Sequence, residues 1–152
     1  MKLWYQEWRD HILEIKCEYK QAGQSLDGWC QRLQRSSATR CGVKYPGAYD
    51  PQTCKRYPTS KPIDTALDAL DELVKHPAKW PLTQVHGDEF WKAPVGAGFI
   101  VFYKGCDGKG HVALCIRENR PGGPVFVMYD NMKLRRMTVG WEQRVIVAFK
   151  FK

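Results

Sequence analysis

The chain lacks a long apolar run, and this absence excludes the membrane-spanning classes. No stretch of its 152 residues approaches the roughly 20 apolar residues that a transmembrane helix needs. The opening MKLWYQE contains no apolar core of the kind that a signal peptide requires. We therefore expect a protein that is made in the cytosol without a signal peptide, is not stably inserted in a membrane, and acts elsewhere only after release.

Metal-binding and phosphate-binding signatures are also absent. The six cysteines, at positions 17, 30, 41, 54, 106 and 115, form no CxxC pair and no Cys/His cluster with zinc-site spacing. No glycine-rich phosphate loop or nucleic-acid motif is present, and the basic residues are scattered from Lys2 to Lys152. We therefore expect no metal, no cofactor and no nucleic-acid partner.

The cysteines do not form the framework of a small secreted protein, because such a framework accompanies a signal peptide and a shorter chain. A single disulfide between Cys41 and Cys54 stays open. Most of the thiols are expected to be small buried hydrophobic groups.

The composition indicates one folded domain over residues 1–152, which we expect to be a monomer. A hydrophobic fraction of 43% and six tryptophans are ample for one core at this length. The net charge of +8 favours a polyanionic partner. Bacterial cell wall and nucleic acid both fit that description, and the charge alone does not distinguish them.

Helical patterns occupy the first half of the chain. Apolar residues at three- and four-residue intervals predict an amphipathic helix over 3–21. A second helix is predicted from near Trp29 to about Thr39, with Asp27 as its N-cap. A third is predicted to follow Thr59 or Ser60, and its buried stripe would be Ile63, Ala66, Leu67, Leu70, Leu73 and Val74.

The second half changes to the alternating pattern of β-strands. Strands are predicted at 99–103, 111–116, 125–129 and 144–151, with a short one around 134–139 and a turn at 105–110. Irregular stretches at 42–57 and 79–98 separate the helices and strands. Helices followed by an antiparallel sheet predict an α+β domain.

Cys30 is the candidate nucleophile because it begins the second predicted helix, just after Gly28. The positive end of a helix stabilises a thiolate and lowers the thiol pKa. Cys41 lies at the opposite end, where the helix dipole disfavours a thiolate. Cys30 is therefore predicted to be the thiol that is alkylated fastest at neutral pH.

A nucleophilic cysteine needs a base, and His111 is the candidate among the four histidines. It follows Gly110 at the start of a predicted strand, where its side chain can meet a helix N-terminus packed across the sheet. Ala113 points to the same face and leaves room for a close helix. The alternative is that His111 is only a partly exposed residue at a strand start.

Hairpin geometry selects a residue to orient the base. A turn around Pro121–Gly122 pairs positions whose numbers sum to about 242, which places His111 opposite Asn131 and beside Asp130. An acceptor there would bind Nδ1–H and leave Nε2 facing the thiol. We favour Asp130, with Asn131 as the alternative; a turn pair without chemistry is the other interpretation.

An acyl transfer also needs hydrogen-bond donors for the oxyanion. The backbone N–H of Cys30 is one candidate. The side-chain amide of Gln24, six residues earlier, is the other.

Three motifs together resemble the papain-like peptidoglycan hydrolases, which include the CHAP and NlpC-like families and the peptidase domains of bacteriophage endolysins. They are Gly28-Trp29-Cys30, the segment 93–103 with its Pro- and Gly-rich lead into FIVFY, and Gly110-His111-Val112-Ala113-Leu114. The resemblance implies a papain-like fold with N-terminal helices packed on an antiparallel sheet. It also implies a Cys30–His111–Asp130 thioester mechanism, with Gln24 similar in offset to an oxyanion glutamine.

The resemblance further implies a lysin that cuts peptidoglycan peptides after release by a holin or on a virion. The chain departs from the family by lacking an acid in Gly96-Ala97-Gly98, by having aspartate where CHAP members often have glutamate, and by its Cys-rich segment 41–54. Two other functions stay open. One is a basic binding module for cell wall or nucleic acid, and the other is a papain-like peptidase that acts on protein.

Overall fold

Helices occupy the first half of the chain and a sheet occupies the second, as the sequence predicts. The computed structural model describes residues 3–104, 110–138 and 140–152. The α-helices are α1 (Trp4–Gln21), α2 (Cys30–Cys41), α3 (Ala66–Lys75) and the short α4 (Asp88–Trp91). Two short 3-10 helices lie at Pro77–Lys79, before α4, and at Trp141–Gln143, after it. Among the helices of the described segments, none is both long enough and apolar enough to cross a bilayer.

The α1 helix confirms the helix predicted over 3–21. Its inward side is formed by Tyr5, Trp8, Ile12 and Ile15, whose spacing of three and four residues keeps them on one face. Burying such a stripe is what stabilises a helix of this kind in water.

The α2 helix begins at Cys30, one residue after the predicted start near Trp29. The predicted N-cap, Asp27, is wrong, because Trp29 takes that position without a side-chain cap. The Asp27 amide donates instead to Ser25 Oγ at 3.1 Å, which closes the turn before the helix. Gly42 ends α2 in the left-handed conformation, which glycine adopts without strain.

The α3 helix begins later than the sequence predicts. The predicted caps, Thr59 and Ser60, are wrong because the helix starts at Ala66. Thr65 is the cap, and its Oγ1 accepts the Asp68 amide at 3.2 Å. The Asp68 carboxylate in turn accepts the Thr65 amide at 3.1 Å, which completes a capping box.

The later start changes which side chains of α3 face inward. Leu67 and Val74, both predicted to be buried, are 47% and 48% exposed. Ala69 and Glu72 point inward in addition to Ala66 and Leu73. Glu72 is tolerated there because Ser60 Oγ donates to its carboxylate at 2.8 Å.

Two sheets are present among the described residues. The strands are β1 (Tyr49–Asp50), β2 (Lys55–Arg56), β3 (Leu82–Val85), β4 (Gly98–Lys104), β5 (Gly110–Arg120), β6 (Gly123–Tyr129), β7 (Arg135–Arg136) and β8 (Val145–Phe151). β1 and β2 form a small antiparallel hairpin. The other six form one antiparallel sheet in the order β3-β8-β4-β5-β6-β7.

The predicted strands at 99–103, 111–116, 125–129 and 144–151 are confirmed, whereas β1, β2, β3 and α4 lie in stretches predicted to be irregular. The short strand predicted around 134–139 is confirmed as the pair Arg135–Arg136. The predicted turn at 105–110, which contains Cys106, lies outside the described residues except for its last position.

The six-stranded sheet separates two groups of buried side chains. The helix-side core lies between the sheet and α1–α3, and includes Trp8, Ile12, Cys30, Leu33, Val112, Leu114, Val127 and Phe149. The far-side core covers the other face, and includes Phe90, Phe99, Tyr103, Ala113, Cys115, Phe126, Met128 and Trp141. Side chains of β5 therefore alternate between the two cores, as the pleat requires.

Candidate active site

Cys30 lies where the sequence predicts, at the first residue of α2 and against the sheet. Its side chain belongs to the helix-side core and is only 7% exposed. The turn that leads to it contains Gly28 at φ 76°, a left-handed conformation that favours glycine. The sequence thus folds this segment so that the thiol points inward from the helix start.

The pKa of the Cys30 thiol is raised, contrary to the lowered value expected from helix position alone. Burial is the largest cause, because it disfavours the charged thiolate, and the negative charge of Asp130 adds to it. The backbone N–H groups of Val112, Gln31 and Cys30 act in the opposite direction. The helix-start effect is therefore present, but burial outweighs it.

The Cys30 thiol meets the sheet at the point where two strands separate. The pairing of β5 with β6 ends at Leu114–Tyr129. Continuing the same register would place Val112 opposite Asn131, but the ladder does not extend that far. The Val112 N–H instead faces the thiol, one residue from His111. We call this place the open end of the hairpin.

His111 is the second residue of β5, and it turns its ring toward the opposite face from Cys30. Its imidazole stacks on Tyr103, with ring centroids 5.5 Å apart and planes 18° apart. Tyr103 belongs to the far-side core, whereas Cys30 belongs to the helix-side core. The structure therefore brings the thiol to the backbone beside His111 and leaves the imidazole on the other side of the strand.

The hairpin register differs from the prediction by one residue. The two-residue turn Pro121–Gly122 connects Arg120 to Gly123, and these two residues pair with each other. The numbers of paired positions therefore sum to 243 rather than to about 242. Asp130 consequently shares the far side with His111, while Asn131 turns toward the helices. The predicted placement of Asn131 opposite His111 is wrong for this reason.

Asp130 is 1% exposed and engages other partners on the far side. Tyr103 Oη donates to its Oδ2 at 2.8 Å, and Arg135 Nη2 lies 3.4 Å from the same oxygen. The Met132 amide donates to Oδ1 at 2.9 Å. Burial, followed by the Asp130 charge and this hydrogen bond, raises the pKa of Tyr103. Tyr103 is thereby held as a protonated donor between the imidazole and the carboxylate.

Asn131 connects the end of β6 to the turn that precedes Cys30. Its Nδ2 donates to the Leu26 carbonyl at 2.9 Å, while its Oδ1 is buried without a described partner. Lys16 of α1 donates to the Met132 carbonyl at 2.7 Å. These two bonds fix the open end of the hairpin against α1 and against the turn that precedes α2.

Gln24, the candidate oxyanion donor, is exposed in the loop after α1. Its backbone amide donates to the Tyr19 carbonyl at 2.8 Å as part of the helix end. The structure does not bring Gln24 into the helix-side core that holds Cys30. The N–H groups of Cys30 and Gln31, which face the thiol, are the donors that the fold supplies there.

Two buried glutamines that the sequence did not single out hold α2 in place. Gln31 Nε2 donates to the Pro46 carbonyl at 2.9 Å, and its Oε1 accepts Tyr45 Oη at 2.9 Å. Gln34 Oε1 accepts Trp8 Nε1 at 2.9 Å, and its Nε2 donates to the Tyr129 carbonyl at 3.2 Å. The weak apolar periodicity of α2 was the signal that polar side chains complete its buried face.

A basic depression lies beside the start of α2. Gly28, Trp29, Arg32, Arg35 and Asp64 line a volume of about 280 Å³. The Arg32 guanidinium lies 3.9 Å from the centre of a Trp29 ring, which holds it over the depression. Burial and then the neighbouring arginines lower the pKa of Arg35. An anionic ligand would relieve that repulsion.

The described cysteines are all free, so the open alternative of a Cys41–Cys54 disulfide is not realised. Of the described thiols, only Cys30 and Cys115 are buried, and Cys17 and Cys54 are exposed. The expectation that most thiols are buried is therefore wrong for these residues.

The site thus combines a thiol at a helix start, backbone donors directed at it and an open hairpin end, with a histidine and an aspartate on the far side of the same strands. Its resemblance to the papain-like peptidoglycan hydrolases depends on short motifs around Cys30 and His111. Comparison with protein-family models, with curated proteins and with solved structures finds no match for this chain.

Proposed function

We propose that the chain is a papain-like cysteine hydrolase that cuts amide bonds in the peptides of bacterial peptidoglycan. One observation carries the proposal: the Cys30 thiol, at the start of α2, lies against the Val112 N–H at the open end of the hairpin, next to His111. Acyl transfer requires a nucleophile, backbone donors for the oxyanion and a base within reach of the thiol. The first two are in place, and the base is carried by the residue next to Val112 with its ring on the other face of β5.

In the proposed reaction, Cys30 Sγ attacks the amide carbon while His111 takes the thiol proton. The tetrahedral oxyanion accepts hydrogen bonds from the N–H groups at the start of α2. The carbon–nitrogen bond then breaks, and the imidazolium protonates the leaving amine. Water, deprotonated by His111, attacks the resulting thioester and releases the carboxylic acid with the free thiol.

Catalysis by this route requires the imidazole of His111 to leave Tyr103 and reach the thiol around the open end of the hairpin. The raised pKa of Cys30 means that the resting thiol is protonated at neutral pH. His111 therefore acts as a base during the attack, and no thiolate is stored beforehand. Asp130 stays bound to Tyr103 and Arg135, and we propose that it stabilises the imidazolium through its charge, which already acts on the Cys30 thiol.

The proposed substrate class fits the charge around the site. The depression lined by Arg32 and Arg35 adjoins the start of α2, and the whole chain carries a net charge of +8. Both features favour a peptide that carries carboxylates within an anionic wall, because they concentrate it at the site.

The direct experiment measures the loss of turbidity of purified cell walls and the new amine ends in the released peptides. The full chain is expected to clear walls, and Cys30→Ala and His111→Ala are each expected to abolish clearing. Cys54→Ala is the matched control, because its thiol is exposed and lies outside the site. Clearing by Cys30→Ala at the parent rate would overturn the catalytic assignment. Clearing without new amine ends would overturn the proposed bond class.

A second candidate function, a binding module for anionic wall, is favoured by the separation of His111 from Cys30 across β5. In that case walls would retain the chain in a sedimentation assay without losing turbidity. Retention would fall in Arg32→Ala and Arg35→Ala and would be unaffected in Cys30→Ala. The two candidates therefore differ in whether the parent chain clears walls and in whether Cys30→Ala has any effect.

A further inference from the structure

A second group of ligand-forming side chains lies at the other end of the α1–α2 pair, away from the proposed active site. Glu7 and His11 lie four residues apart on one face of α1, and Cys41 is the last residue of α2. The carboxylate oxygen, imidazole nitrogen and sulfur of these residues all lie within 4.8 Å of one another. Three different donor atoms therefore converge on one point between the two helices.

The surroundings of His11 leave one ring nitrogen for a ligand. Its Nδ1 lies 3.5 Å from a Glu14 carboxylate oxygen, and this nitrogen is buried without a hydrogen bond. Arg40 in turn pairs with Glu14 and Glu18, which fixes the carboxylates along that side of α1. A histidine ligand commonly donates its other N–H to a carboxylate, which orients the ring and raises its basicity. Glu14, 3.5 Å from Nδ1, can take that role once the ring turns slightly, which leaves the other ring nitrogen for a metal.

Glu7 has no ion pair with any residue that the structure describes, so its carboxylate is available as a ligand. Cys41 is partly buried and free. Its position is fixed by Gly42, whose amide bonds to the Thr39 carbonyl as the helix ends. The three donors therefore lie on two rigid helices and not on loops, which is the support that a metal site needs.

We propose that Glu7, His11 and Cys41 bind a divalent zinc-like ion. Sulfur, imidazole nitrogen and carboxylate oxygen together match the ligand preference of Zn²⁺ and Co²⁺ and do not match that of Mg²⁺ or Ca²⁺. Three protein ligands leave the fourth tetrahedral position to water. The bound ion would join the first turns of α1 to the end of α2 and so stiffen the helix pair that presents Cys30.

The experiment titrates Co²⁺ into the full chain, kept reduced without added thiols, and records the absorption spectrum. One equivalent is expected to bind, with a thiolate-to-Co²⁺ charge-transfer band and the intense visible bands of a tetrahedral site, and Zn²⁺ is expected to displace it. Cys41→Ser should remove the charge-transfer band. The controls Cys17→Ser, Cys30→Ser, Cys54→Ser and Cys106→Ser should each retain it.

The other two ligands give an independent test that does not depend on how well Cys41→Ser folds. Glu7→Gln and His11→Asn should each weaken Co²⁺ binding by about tenfold or more, since even supporting residues of metal sites contribute that much. Saturating Zn²⁺ at about one hundred times Kd should raise the melting temperature of the parent by about 5–11 °C. Absence of the band, its survival in Cys41→Ser, or its loss in one of the cysteine controls would overturn the proposal. None of these readouts depends on wall hydrolysis.

Discussion

Gln34 is the side chain whose removal should most clearly show how α2, and with it Cys30, is held. It is 0% exposed and bridges three elements: α1 through Trp8, α2 itself, and β6 through the Tyr129 carbonyl. Gln34→Leu keeps the approximate size of the side chain and removes both hydrogen bonds. The Trp8 indole, itself 0% exposed, then has an N–H without a partner.

The expected loss in the free energy of unfolding follows from the two groups that lose their partner, the Trp8 N–H and the Tyr129 carbonyl. An unpaired buried donor costs about 1–3 kcal/mol, and an ordinary hydrogen bond contributes about 0.5–1.5 kcal/mol. Together these give a loss of about 2–4 kcal/mol in the free energy of unfolding. At roughly 2–4 °C per kcal/mol for a chain of this size, the melting temperature falls by roughly 4–16 °C.

The assay is urea unfolding followed by tryptophan fluorescence and circular dichroism, with Gln21→Leu at the exposed end of α1 as the control. The control should change the free energy of unfolding by less than about 0.5 kcal/mol. Combining Gln34→Leu with Trp8→Phe removes the orphaned N–H, so the double variant should lose about 1–2 kcal/mol less than the sum of the singles. A loss below about 1 kcal/mol in Gln34→Leu, or strict additivity with Trp8→Phe, would refute the reasoning.

Three further predictions concern exposure, close packing and pH. In the resting protein, iodoacetamide should modify the exposed Cys54 before Cys30, because burial both covers the Cys30 thiol and raises its pKa. This order reverses the one that helix position alone predicts, and mass mapping in which Cys30 reacts first would contradict it. Gly98→Ala should reduce the free energy of unfolding by about 1–3 kcal/mol, because the new Cβ would overlap Cγ of Tyr5. An unchanged urea midpoint would disprove the contact. Burial and then a neighbouring carboxylate raise the pKa of Tyr129 to about 12. The fold therefore favours the protonated phenol; this stabilisation is complete below about pH 10 and is lost as the pH rises through about 12. Tyr129→Phe should flatten the fall of the unfolding free energy over that range, and an unchanged slope would contradict the assignment.

The parts of the fold that the sequence predicts well are those where one pattern acts alone. The regular spacing of Trp8, Ile12 and Ile15 is enough to place α1. The apolar run 99–103 is equally clear as a central strand. The start of α3 was predicted five or more residues early, because the sequence offers Thr59, Ser60 and Thr65 as competing caps and only the tertiary contact of Ser60 with Glu72 decides among them.

The elements that carry Cys30 and His111 could be predicted from the sequence, but the faces on which the two side chains lie could not. The helix start at Cys30 and the strand that begins beside His111 both follow from local sequence. Which side of the strand each residue occupies depends on the hairpin register, and an error of one position moves a side chain to the other face. That error exchanges the predicted faces of Asp130 and Asn131. In the structure Asp130 faces the far-side core and Asn131 faces the helices.

The burial of Cys30 and the proximity of residues far apart in the chain could not be predicted from the sequence. Helix position predicted a lowered pKa for Cys30, but the size of the opposing burial depends on how closely α2 packs on β5. The convergence of Glu7 and His11 with Cys41 depends on how α1 packs on α2, because it joins positions thirty or more residues apart in the chain. Spacing rules for metal sites detect local clusters and miss ligands that two packed helices bring together.

The two-residue turn at Pro121–Gly122 lies at the far tip of the hairpin from Cys30, yet its length decides what surrounds the sulfur. A slip of one residue between β5 and β6 would bring a carboxylate to the helix side in place of an amide, and it would also turn Val127 and Met128 out of their cores. The apolar side chains of β6 therefore hold the charge distribution near the sulfur in place, although none of them takes part in the proposed reaction.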